Sequence, residues 1–205
     1  MGESWAFWID VGGTFTDCVA RAPDGTLRQR KLLSTDDAPV LAIRDFLGLG
    51  DDEPIGRVAL SLGTTRATNA LLERNGEPVG LVATRGFADL PIIGTQARPQ
   101  LFRLDVRKRA TLHEHVVEVD ERLDADGNVV RPLDDADAER ALRELRDVGL
   151  DAVAICLLHA HANDAHERRV AEAARRMGFG HVSTSSSLTP TIGALDRCDT
   201  AVADA

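Results

Sequence analysis

No apolar run in this 205-residue chain approaches the roughly 20 residues that a transmembrane helix needs, so no membrane span is expected. Basic residues are in deficit. Lys and Arg number 24 against 33 Asp and Glu, for a net charge of -9 with the acids spread rather than blocked. A nucleic-acid surface wants a basic stripe, and none is expected here. Cysteine is scarce too: Cys18, Cys156 and Cys198 are odd in number and form no Cys-x-x-Cys pair. Neither a disulfide framework nor a structural zinc site is expected. Cys18 and Cys156 lie in apolar, strand-like runs that suit small buried thiols, while a catalytic role stays open for Cys198. Internal repeats are missing, and the only biased tract is a short Ser/Thr run at residues 183–187. The start, Met1-Gly-Glu-Ser, has no basic region followed by an apolar core, so a cytoplasmic protein without a secretory signal is expected. The length suits one large domain or two small lobes.

What is present centres on Trp5-Ala-Phe-Trp-Ile-Asp-Val-Gly-Gly-Thr-Phe-Thr-Asp17. An apolar run ends in Asp10, turns through Gly12 and Gly13, and resumes after Thr14 and Thr16. This reads as a β-hairpin. Its glycines are free to take positive φ and to let an anion reach the main chain, where successive N–H groups form a nest for phosphate oxygens. Asp10 ends the first strand where a phosphate-bound Mg²⁺ would sit, and Thr14 and Thr16 carry hydroxyl donors. A plain Gly-Gly hairpin satisfies the same pattern.

The stretch from Asp10 to Asp17 resembles the first phosphate motif of the actin- and hexokinase-like ATPase superfamily, in the form found in the hydantoinase A/5-oxoprolinase family. Gly63-Thr-Thr-Arg-Ala-Thr-Asn-Ala-Leu-Leu-Glu-Arg74 is similar to a second block of that family. So are Thr84-Arg-Gly-Phe-Ala-Asp89, Arg98-Pro99, Glu121-Arg122-Leu-Asp124 and Cys156-Leu-Leu-His-Ala-His-Ala-Asn163 with His166-Glu167. They occur in the family's order. The histidine that often precedes the family's Gly-Thr-Thr is replaced here by Leu62, and no adenosine-binding glycine motif follows residue 188.

Taken in order, residues 26–33 read as a third strand. A helix opened by Asp36 and Pro39 presents Val40, Ile43, Phe46 and Leu47 and is closed by Gly48 and Gly50. Residues 58–62 read as a short buried strand. Thr64 or Thr65 caps a helix running to Arg74, with Asn75-Gly76 as its left-handed stop. Residues 79–83 form the next strand, and residues 90–115 a long loop or insertion. A strand at 116–123 turns at Asp126-Gly127 and pairs back. Then come a helix with Ala138, Ala141, Leu142, Leu145 and Val148 inward, a fully buried strand at 152–158, a helix with Val170, Ala173, Ala174 and Met177 inward, and a last strand at 181–184. The pattern alone says α/β. The resemblance implies a ribonuclease-H-like lobe with a mixed sheet over residues 1–90. A second β-α-β-α-β unit occupies 91–185, and 186–205 begins a passage into a further ATPase domain.

Other candidates stay open between two readings. His159, His161, His166 and Glu167 carry metal-ligand chemistry, yet Asp164-Ala-His-Glu167 is also a helix capping pattern. Glu121 and Arg122 are either a strand-edge ion pair or part of a substrate site, and Asp134, Asp135 and Asp137 read as an acidic helix start.

The resemblance implies an enzyme that uses ATP and Mg²⁺ to phosphorylate the carbonyl oxygen of a cyclic amide such as 5-oxoproline or a hydantoin, before water opens the ring. Asp10, Thr64 and Thr65 are its candidate catalytic residues, with Asp10 also holding the metal. Gly12, Gly13, Thr14, Thr16, Asp17, Gly63 and Asn69 are candidates for the nucleotide, and Arg98 for clamping substrate. A C-terminal domain beyond this chain and a hydantoinase B-type subunit are the expected partners, in a homo- or hetero-oligomer. The alternatives are a ketone carboxylase subunit of the same family and a non-catalytic assembly module.

Overall fold

The computed structural model describes residues 4–97, 102, 104 and 110–205. The chain divides into two compact units, Met1–Gly76 and Glu77–Ala205. The first therefore ends at Gly76 rather than at residue 90, because the strand that follows pairs only within the second.

In the first unit, β1 (Ala6–Val11), β2 (Phe15–Arg21) and β3 (Leu27–Leu33) form an antiparallel meander, and β4 (Ala59–Thr64) joins β1 in parallel. The order β3-β2-β1-β4 is a mixed sheet, as the ribonuclease-H-like reading requires. Period-two alternation sends Phe7, Ile9 and Val11 with Cys18 and Ala20 to one face. There α1 (Ala38–Leu47) covers them with Ala42, Ile43 and Phe46. The Phe46 ring lies 6.0 Å from Phe7, which stacks on Trp5 at 5.9 Å. Gly48 closes α1 in the left-handed conformation at φ 67. Val40, expected inward, is exposed.

Two expectations fail nearby. All six β4 residues are exposed, Leu60 by 49% and Leu62 by 56%, and α2 (Arg66–Glu73) has no buried residue. An apolar run says that a strand can be covered, not that a helix covers it, and α1 packs chiefly on β1, β2 and β3. The left-handed stop of α2 is Arg74 at φ 56, one residue before Asn75.

The second unit holds an all-parallel sheet of order β10-β9-β5-β6, from β5 (Val79–Thr84), β6 (His113–Val119), β9 (Ala152–Cys156) and β10 (His181–Thr184). The strand expected at 116–123 is split: β6 ends at Val119, and β7 (Arg122–Leu123) pairs separately with β8 (Val129–Arg131). On one face α4 (Asp135–Asp147) and α5 (Ala165–Arg176) bring Leu142, Leu145, Val170 and Ala174 against Val82, Val153 and Ile155. On the other, α7 (Ala194–Asp204) sets Cys198, Ala201 and Val202 against Val79, Leu81, Ala152 and Ala154. This two-sided cover explains the uninterrupted apolar run of β9. It also corrects the reading of residues 186–205, because α6 (Ser185–Leu188) and α7 pack as parts of this unit. The short α3 (Leu90–Ile93) follows β5. No helix among the described residues is long and apolar enough to cross a membrane.

Candidate functional site

The carboxyl ends of β1 and β4 lie side by side, Val11 beside Thr64. Two bonds tie them: the Thr65 N–H donates to the Val11 carbonyl at 3.1 Å and the Thr64 hydroxyl to the same oxygen at 3.3 Å. Thr64 Oγ1 in turn accepts the Arg66 N–H at 3.2 Å. The first turn of α2 is thus held by Thr64, while Thr65 occupies the N-cap without a capping bond.

Between β1 and β2 the turn at residues 12–14 is closed by the Gly12 N–H donating to the Phe15 carbonyl at 3.0 Å. Gly12 and Gly13 are not in the positive-φ region. At Gly12 what demands glycine is space, since a Cβ would stand 2.8 Å from the Phe15 carbonyl oxygen; a Cβ on Gly13 would stand 2.7 Å from the Asn69 amide nitrogen, the movable end of a side chain. Because the Gly12 amide is engaged, the Gly13 and Thr14 amides are the ones left without a partner among the described residues.

Ser34, which the sequence reading missed, braces this turn. Its hydroxyl donates to the Gly12 carbonyl at 2.7 Å and its N–H to the Thr14 carbonyl at 3.0 Å. With that proton committed, the 3.0 Å contact to Thr16 must be donated by Thr16. Thr16 is fully buried, so its hydroxyl supports the turn from behind and does not face a ligand.

A cavity of about 300 Å³ opens against this turn, at the lower end of the ~300–1,000 Å³ usual for ligand sites. Val11, Gly12 and Gly13 form one wall, Ser34, Thr35 and Asp36 a second. The third is one face of α2, with Arg66, Asn69, Ala70 and Glu73 at helical spacing. The Asn69 side-chain amide donates to the Thr65 hydroxyl oxygen at 3.4 Å. Arg66 Nη1 meets Asp36 Oδ1 at 2.6 Å.

Of the residues singled out from sequence, the structure gathers Gly12, Gly13 and Asn69 around the cavity, with Thr64 at the end of β4 and Thr65 at the N-cap of α2 bonded to Val11 in its wall. Asp10 does not line it. It stands exposed on the other sheet face, opposite Asp17 in β2 and Gly63 in β4, where a Gly63 Cβ would lie 3.6 Å from Asp10 Oδ1. Asp17 is engaged by Lys31 at 2.9 Å, whereas Asp10 has no ion-pair partner among the described residues. Mg²⁺ binds through one or two carboxylates and keeps its waters, and a lone exposed carboxylate fits that demand. Arg98 lies outside the described residues.

The second unit holds a different set of polar side chains. His166 Nδ1 and Glu121 Oε2 are 2.7 Å apart, and the Leu133 N–H donates to His166 Nε2 at 3.4 Å, which places the ring proton on Nδ1. Thr84 donates to the other Glu121 oxygen and accepts the Leu158 N–H at 2.9 Å. Glu167 accepts from the Leu157 N–H at 2.8 Å, the Ser185 hydroxyl at 2.7 Å and the Ser186 N–H at 2.9 Å. It therefore makes no capping box. Arg197 donates to the carbonyls of Thr191 at 2.7 Å and Leu157 at 3.0 Å. Glu121, His166, Glu167 and Arg197 are all buried. Among the described residues no group of three or more His, Cys, Asp or Glu side chains is set to hold a metal ion. The three thiols are free and buried, and a hydrogen bond to Cys156, with burial, holds the Cys198 thiol well above its ordinary range.

A family model described as "Hydantoinase/oxoprolinase N-terminal region" matches residues 6–178. The chain is 42% identical to 5-oxoprolinase 1 of Arabidopsis thaliana over 97% of its own length, which is 18% of that protein. It superposes on the ATP-dependent caprolactamase of Pseudomonas jessenii with a TM-score of 0.81 and 29% identity, covering 97% of this chain and 30% of that one. A nucleotide-free acetone carboxylase, from work on ATP-dependent acetone carboxylation, also gives 0.81, at 25% identity over 98% of this chain and 32% of that one. The chain thus spans under a third of the length of each of these proteins. Matched by the family model through both of its compact units, the chain belongs to the hydantoinase/oxoprolinase family.

Proposed function

We propose that this chain is the N-terminal part of a longer ATP-dependent cyclic-amide hydrolase of the hydantoinase and 5-oxoprolinase kind, acting in the cytoplasm. One observation carries the reading: a cavity of about 300 Å³ walled by the Gly12–Gly13 turn and by the face of α2 that bears Asn69. Bound with Mg²⁺, ATP supplies the phosphoryl group that turns an unreactive amide oxygen into a phosphate ester open to water. The chain's own share is positioning and charge compensation. The Gly13 and Thr14 amides receive phosphate oxygens, on a turn that Gly12 keeps tight against the Phe15 carbonyl. Asp10 holds the metal from the neighbouring sheet face, with Gly63 keeping its carboxylate uncovered. Thr65 keeps a hydroxyl proton to donate, while Thr64 fixes the distance between the two walls. Arg98 is assigned to substrate. We place the adenosine site in a C-terminal part of the longer polypeptide, and a hydantoinase B-type subunit beside it.

Calorimetric titration of Mg·ATP into the chain, alone and mixed with that C-terminal part, tests the reading. Tight binding in the mixture that is lost in Asp10→Ala is expected. A demonstrated complex that binds no Mg·ATP, or binds it equally well without Asp10, would sink it. The likeness to acetone carboxylase supports one second reading, a ketone carboxylase subunit. Phosphate release that needs a ketone and bicarbonate, and ignores lactams, would select it.

A further inference from the structure

Arg66 is the only basic side chain among the described residues lining the cavity, and nothing in the proposed chemistry uses it. It is the first residue of α2, on the helix face that also carries Asn69 and Glu73. Its guanidinium is tied to Asp36, which lines the cavity from the end of β3. Both side chains are largely exposed, at 65% and 82%, and pairs so exposed hold each other weakly. An arriving phosphate offers more than Asp36 does: a higher charge, and acceptor oxygens left over for the turn after two have met the guanidinium. The rest of the cavity confines an anion to this end. Glu73 lies seven residues further along α2, about 10 Å away at 1.5 Å per residue, and it repels negative charge there.

We propose that Arg66 is an anion-binding residue of this cavity, parked on Asp36 until a phosphate group on the Gly12–Gly13 turn draws it across. The idea rests on the phosphate reading of the turn given above. It assigns Asp36 the role of a competitor that sharpens release: the carboxylate takes the guanidinium back as the anion departs.

The two partners of a merely structural ion pair should behave alike when removed, and here they should behave oppositely. The test is a titration of the ¹⁵N-labelled 205-residue chain with inorganic pyrophosphate, followed at the Gly12, Gly13 and Arg66 backbone and Arg66 Nε signals. Arg66→Gln should weaken binding about tenfold or more, the value of one charge-assisted bond. Asp36→Asn should tighten it, by up to about fivefold, since that is the most an exposed pair withholds. In the Arg66→Gln background, Asp36→Asn should lose most of its effect. Melting of the ligand-free variants should shift slightly and in the same direction for both. Shifts at the glycines that neither substitution alters would overturn the role of Arg66 and leave the phosphate turn standing. An Arg66 response without one at Gly12 or Gly13 would keep the anion residue and overturn the turn. Silence at all three up to tens of millimolar would overturn both.

Discussion

The two units solve the placement of polar groups in opposite ways. In the first, the polar groups around the cavity are exposed or half-buried, its ion pairs are solvated, and β4 and α2 have no buried residue. In the second, two carboxylates, an imidazole and a guanidinium lie out of water with their hydrogen bonds satisfied, beneath a sheet covered on both faces. The difference is one of consequence. A solvated pair changes partners at little cost, whereas a buried carboxylate with three donors aimed at it has nowhere else to turn. The open unit is suited to exchanging ligands and the closed one to holding shape.

The sharpest way to break this comparison is Glu167→Ala, which strands the donors of Leu157, Ser185 and Ser186. We expect a loss of about 3–5 kcal/mol in urea unfolding of the second unit. Next is Gly80→Val, since even a Cβ there would stand 2.8 Å from a Leu145 methyl. Overpacking should cost about 1–3 kcal/mol.

Acid sharpens the contrast further. Burial holds the His113 pKa below its ordinary value, with Asp199 opposing. The fold favours the neutral ring, so this contribution is complete above the unfolded value near 6.5 and is lost as pH falls through the folded one. Melting temperature should therefore decline on acidification below about 6.5, and His113→Asn should flatten that decline. The smallest effect is expected for Leu60→Ser on the exposed strand, within about 0.5 kcal/mol. A loss of several kcal/mol there would show that β4 is covered in solution and erase the contrast.

Much of this was legible in the sequence because it is local. The Gly-Gly turn after Asp10, the Gly48 stop, the inward faces of α4 (except Val148, which caps the helix and is exposed) and α5, and the buried run of β9 each follow from spacing within one element. Ser34, Arg66 and Asp36 were missed because the turn they serve lies 20 or more residues away, and no periodicity links them. Glu167 was misread for the same reason: Asp164 three residues earlier makes a plausible cap, but Ser185 and the Leu157 amide, brought in by packing, claim its oxygens. Gly12 was assigned to glycine for its backbone angle, when the crowding of the Phe15 carbonyl is what matters.

The placement of Arg197 bears on the order in which the molecule is made. Its guanidinium joins the carbonyls of Leu157, Thr191 and Ile192 to the Ser185 hydroxyl, and its helix supplies the second cover of the sheet. Until residues 194–204 have left the ribosome, Val79, Leu81, Ala152 and Ala154 have no helix to lie against. The first unit, whose residues end at Gly76, leaves the ribosome while the second is still being synthesised. During translation, then, the nascent second unit passes through a stage with one apolar sheet face bare, and that stage ends when its last helix arrives.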